Sequence, residues 1–94
     1  MEVTDAIKIA KDYIALIYKD EGAFNIGLEE VELDEKQWRV TVGFSRRWDR
    51  PPRSPFGIAI EGEDHRATAR TYKVVEIDNE TGEVLGVSNR QGLL

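Results

Sequence analysis

The residues best suited to chemistry sit in one stretch, Arg46-Arg47-Trp48-Asp49-Arg50-Pro51-Pro52-Arg53. Its local charge is +3, in a 94-residue chain of net charge -5. A guanidinium pairs with carboxylate or phosphate in a two-pronged geometry, and an indole can fill a protein pocket or stack on a base. Prolines lower the entropy lost when such a segment is ordered by a partner. The same residues would also serve a solvated connector with Trp48 folded back on the core. Arg46, Arg47, Trp48, Arg50 and Arg53 are therefore the candidate protein-binding residues.

Other polar groupings lack the spacing that chemistry requires. His65 is the single histidine, beside Asp64 and close to Glu61 and Glu63. One imidazole in an acidic loop provides no zinc-type ligand spacing. Ser45, Ser54 and Ser88 have no nucleophile-elbow sequence around them. Asp78-Asn79-Glu80-Thr81-Gly82 begins like a calcium loop, but the twelfth position is Asn89, where a bidentate Glu is needed. It reads as a tight hairpin turn, with Gly82 free to take positive φ. Asn79-Glu80-Thr81 is formally a glycosylation sequon. The acid pairs Glu29-Glu30 and Asp34-Glu35 and the cluster Glu61, Glu63, Asp64 fall in hydrophilic turns, without a cleft to raise a carboxyl pKa. With no cysteine, thiol chemistry and cysteine-held metals are excluded. The expectation is no enzyme, no cofactor and no metal.

The composition is that of a globular domain: 40% hydrophobic, 33% charged, with eight glycines and three prolines. A chain this long supports one core. The acidic balance counts against binding nucleic acid by overall charge, which leaves a basic loop as the only route to such a partner. No apolar run approaches the roughly 20 residues that span a bilayer, and the N-terminus does not read as a secretory signal. The expected location is the cytoplasm, with no membrane partner.

The elements that would position the loop are legible in the spacing. From Thr4 to Lys19, apolar residues recur in steps of three and four at Ala6, Ile7, Ala10, Tyr13, Ile14, Ile17 and Tyr18, with Ile9 and Leu16 widening the stripe. Thr4 or Asp5 suits the helix start, and Gly22 suits its stop. So wide a stripe calls for a sheet as its partner. Ile26 to Leu33 alternates with a change of parity across Glu29-Glu30, as in a bulged strand or a turn followed by a strand. Trp38, Val40, Val42 and Phe44 alternate with Arg39 and Thr41, as in a half-buried antiparallel strand. Ser45 to Arg66 holds all three prolines and reads as an irregular loop around the short apolar run Phe56–Ile60. Thr68 to Asp78 is strand-like, with Tyr72 and Val74 of one parity and Val75 and Ile77 of the other. Either both faces are covered or a bulge lies near Val74-Val75. Glu83 to Ser88 completes a fourth strand, and residues 89–94 read as a loosely held tail.

Three fragments carry a family resemblance. They are Thr4-Asp5-Ala6-Ile7-Lys8-Ile9-Ala10, then Val31-Glu32-Leu33-Asp34-Glu35-Lys36-Gln37-Trp38-Arg39-Val40, then Tyr72 through Leu85 with its Val-Glu-Ile-Asp-Asn-Glu-Thr-Gly-Glu-Val run. Together they resemble PepSY-like domains, over about two-thirds of the chain. The resemblance implies a cystatin-like shape and a role in binding or inhibition, often of peptidases. A weaker resemblance, resting on the Ala-rich amphipathic helix followed by an early Trp-containing strand, is to the immunity protein 35 family of bacterial toxin systems.

The expected fold is α+β, an N-terminal helix packed on a four-stranded antiparallel sheet in the cystatin-like order α-β-β-β-β, forming one domain over residues 1–94. The expected function is a non-enzymatic protein-binding or inhibitory module acting through the loop, the sheet's open face, or both. The alternatives are an immunity protein neutralising a bacterial toxin and a nucleic-acid accessory protein using the Arg/Trp loop. The chain could act as a monomer or as a homodimer paired through a strand edge.

Overall fold

The computed structural model describes residues 1–47 and 70–90. Helix α1 spans Val3–Ile17, followed by a one-turn 3₁₀ helix, Lys19–Glu21. Strands β1 (Phe24–Asp34), β2 (Gln37–Ser45), β3 (Thr71–Asp78) and β4 (Val84–Asn89) form one antiparallel sheet in the order β1-β2-β3-β4. The expected α+β arrangement, a helix on a four-stranded antiparallel sheet, is the observed one.

α1 begins one residue earlier than its spacing suggests. Glu2 is the N-cap, and Asp5 reaches back to accept its backbone N–H at 3.0 Å, so Thr4 lies inside the first turn. The α-helical turns end at Ile17, and Gly22 then takes a left-handed φ of 67° and starts the return toward β1. Ala6, Ala10 and Ile14 form the fully buried line of the helix. Two alanines on that line allow a close approach to the sheet, which α1 crosses chiefly over β1, β2 and β3. The stripe is wider than the surface that covers it. Leu16, on its margin, is 67% exposed.

The core face of the sheet is built as cross-strand rows. Val31, Val40, Val75 and Val87 lie side by side across all four strands. Leu33, Trp38, Ile77 and Val84 form the neighbouring row toward the turns. Two strands need an extra residue to keep this pattern. In β1, Leu28 pairs with Val42 and Glu30 with Thr41, so Glu29 is the bulge that lets both Leu28 and Val31 face the helix. This resolves the parity change at Glu29-Glu30 in favour of a bulged strand. In β4, Leu85 is the extra residue between Val84 and Gly86, and it leaves Val84 and Val87 on the core side.

The β2–β3 register, by contrast, is unbroken from Gln37↔Asp78 to Phe44↔Thr71. No bulge occurs at Val74-Val75. Val75 and Ile77 are buried beneath α1, and Tyr72 and Val74 are half-buried on the other face. β2 also differs from a half-buried strand, because it is buried from Val40 through Ser45, on both faces. It is a central strand, and side chains from β1 and β3 fold over its far side.

The turns at one end are tied together. Trp38 Nε1 donates to Asn79 Oδ1 at 2.8 Å, and the Asn79 N–H donates to the Lys36 carbonyl at 2.9 Å. The N-terminal amine reaches Asn79 O and Oδ1, both at 3.4 Å. Asp78 Oδ1 accepts the N–H groups of Glu80 and Thr81, and Gly82 takes φ 78°, as the hairpin reading requires.

Candidate binding face

The sheet has a second face, turned away from α1, and among the described residues no helix or further sheet lies on it. Its rows are Glu32, Arg39, Glu76 and Gly86, then Glu30, Thr41, Val74 and Ser88, then Gly27, Gly43 and Tyr72. Arg39 sits on the central strand with carboxylates around it: Glu32 at 3.7 Å, Asp34 at 3.8 Å and Glu76 at 3.7 Å. All three separations exceed a direct charge-assisted hydrogen bond, so the guanidinium is held by a diffuse acidic field. Exposed pairs of this kind contribute little to stability.

Arg90, just past the end of β4, lies over the Tyr72 ring, 4.3 Å from its centroid. It joins Arg39, Thr41, Glu30 and Glu32 around a groove of about 190 Å³. Thr41 is almost fully buried at that groove, while the guanidiniums and carboxylates stand at its sides. Beyond it, Glu29, Arg70 and Tyr72 converge over Gly43. The bulge puts Glu29 there, and Arg70 is held by donating Nη2 to the Asn25 carbonyl at 2.9 Å. The face thus presents arginine, an aromatic ring and carboxylates on a rigid strand scaffold.

The basic segment divides. Arg46 and Arg47 are described, whereas Trp48, Arg50 and Arg53 lie outside the described residues, as does His65. Arg46 Nη1 donates to Glu21 Oε1 at 2.9 Å, and its guanidinium lies 5.8 Å from the Tyr18 ring centroid. Tyr18 in turn packs on Phe44, with 4.8 Å between ring centroids. Arg47 Nη2 donates to the Asp20 carbonyl at 2.9 Å, and its Cβ lies 3.1 Å from where a side chain on Gly22 would begin. Both arginines therefore fasten the end of β2 to the turn that follows α1. Arg47 remains exposed, while Arg46 is partly covered.

Two carboxylate or amine groups are electrostatically displaced. Backbone N–H groups of Thr81 and Glu80 hold the Asp78 carboxyl below its ordinary range. The hydrogen bond and charge of Asp12, 2.8 Å away, hold Lys8 above its own. Among the described residues no cluster of three or more His, Asp or Glu is placed to hold a metal ion. Nor, among them, is any helix long and apolar enough to cross a membrane.

The open-face residues Arg39, Tyr72 and Arg90 were not singled out by spacing. The available signal was the alternation of Arg39 and Thr41 against Trp38, Val40 and Val42, which marks a second strand face but not what gathers on it. Comparison with known proteins found no matching family model, no matching curated protein and no matching solved structure.

Proposed function

We propose that this protein is a non-enzymatic binding or inhibitory module that engages a protein through the open face of its sheet, the basic segment from Arg46 to Arg53, or both. The observation that carries this reading is the state of Arg39. Its guanidinium lies on a central strand, and among the described residues its ion pairs, to Glu32, Asp34 and Glu76, are all long. Because these acids make no direct hydrogen bond to it, its N–H donors are open to a partner's carbonyl or carboxylate oxygens, and the surrounding carboxylates favour a partner that also brings cations. Arg90 over Tyr72 adds a second guanidinium and an aromatic surface, the residue types that anchor protein interfaces. Where the basic segment makes the contact, Trp48 is the anchor and Arg46, Arg47, Arg50 and Arg53 select an acidic partner surface. Inhibition of a peptidase and neutralisation of a toxin are two forms of this one activity.

The experiment is capture of partners from native lysate on the immobilised chain, against Arg39→Ala/Arg90→Ala and against alanine replacement of Arg47, Trp48, Arg50 and Arg53. A stoichiometric protein should be retained by the parent and lost from the first variant at unchanged circular dichroism. Retention by both variants would show that neither surface is the site. Oligonucleotide binding with a steep negative dependence on salt would replace this reading with a nucleic-acid one.

A further inference from the structure

The two edges of the sheet differ in how they meet another chain. β1 carries two register shifts, a positive φ at Asn25, and the acids Glu29, Glu30, Glu32 and Asp34. Bulges and charged side chains are the usual means by which an edge strand avoids pairing. β4 carries no ionisable side chain from Val84 to Asn89. Its one bulge, at Leu85, sits near the start and leaves Gly86–Asn89 in regular register with β3. Among the described residues, none outside β3 hydrogen-bonds the β4 backbone.

The apolar pattern also runs off this edge. In the row Val31, Val40, Val75, Val87, the two central valines are fully buried and the two end valines, Val31 and Val87, are only partly covered, but of the two edges only β1 is lined with acids. Leu85, beside it, is 51% exposed.

We propose that β4 pairs antiparallel with β4 of a second copy of this chain, joining two four-stranded sheets into one continuous sheet with both helices on the same face. A two-fold axis normal to a sheet sets a residue opposite its own copy. With Val87 on that axis, the valine row continues directly into its symmetry mate, and Gly86 lies opposite Ser88 of the second copy. The charges agree with this direction. In this register Glu83, at the entry to β4, comes one position from Arg90 of the other copy, and no like charges are set opposite one another. The same self-pairing along β1 would set acids against acids. The contact leaves the Arg39 face uncovered, so it stands or falls separately from the proposed function.

The test is sedimentation equilibrium of the full chain from about 1 μM to about 1 mM, a range that brackets weak to moderate association. The mass should rise from 10.7 kDa to twice that value. Leu85→Lys/Ser88→Lys, which places charge on the edge without touching a fully buried side chain, should raise the dissociation constant at least about tenfold. Amide exchange on the unmodified chain at the two ends of that range provides a second readout. Protection of Val84–Asn89 should increase with concentration while that of β1 does not, which decides the matter even if the variant fails to fold. A mass of 10.7 kDa throughout, a dimer undiminished in the variant, or new protection on β1 would each overturn the proposal.

Discussion

Tyr72 stands directly opposite Gly43 in the β2–β3 ladder, and its ring fills the space a side chain at position 43 would need. A Cβ there would meet Tyr72 Cε1 at 2.9 Å, Arg70 Nη2 at 3.1 Å and Glu29 Cγ at 3.1 Å. The absence of a side chain is what lets the open face close over its central strand. Gly43→Ala should therefore destabilise the fold by about 1–3 kcal/mol, as overpacking does. Urea unfolding would read this as a lower midpoint at unchanged slope.

The pairing of Arg46 with Glu21 makes a second prediction. It joins the end of β2 to the turn after α1, with both side chains partly shielded. A double-mutant cycle with Arg46→Ala and Glu21→Ala should give a coupling of about 0.5–1 kcal/mol, near the upper end for partly exposed pairs. Arg46→Ala alone should lose more than Glu21→Ala alone, because it also removes packing against Tyr18. Equal single losses would remove the ring contact from the account.

Asp78 makes the stability pH-dependent. Its carboxyl is lowered in the fold, chiefly by the Thr81 N–H and then the Glu80 N–H. A depressed folded value means that the stabilisation is present above the ordinary carboxylate range and is lost as pH falls through the folded value. Melting temperatures from neutral pH down to strong acid should thus fall less steeply in Asp78→Asn than in the parent. An unchanged acid slope would show that the turn contributes nothing to it.

The helix separates covered from uncovered apolar positions. Ile14→Ala opens a cavity against the sheet and should lose about 2–5 kcal/mol. Leu16→Ala, at a position 67% exposed, should stay within about 0.5 kcal/mol of the parent. Thermal or urea unfolding of the two variants side by side distinguishes them.

Much of the fold was already visible in the chain's own periodicity. The three-four spacing from Ala6 to Ile17, the alternation through Trp38–Phe44, the parity change at Glu29-Glu30 and the turn at Asp78–Gly82 each depend on residues close in sequence, and each became the element its pattern implies. The cationic character of Arg46 and Arg47 was equally plain. Their attachment to Glu21 and to the Asp20 carbonyl was not, because those groups lie across a turn and a whole hairpin. The same reason explains the other differences. Whether the mixed parity of Tyr72–Ile77 meant a bulge depended on both neighbouring strands, and the shift fell on β4 at Leu85. The burial of β2 on both faces needed Glu29, Arg70 and Tyr72 to converge on Gly43. The loose field around Arg39 needed acids from three different strand positions. Periodicity reports how one segment divides its own faces. Which distant side chains cover those faces is decided by ladder register, and register exists only once the strands have paired.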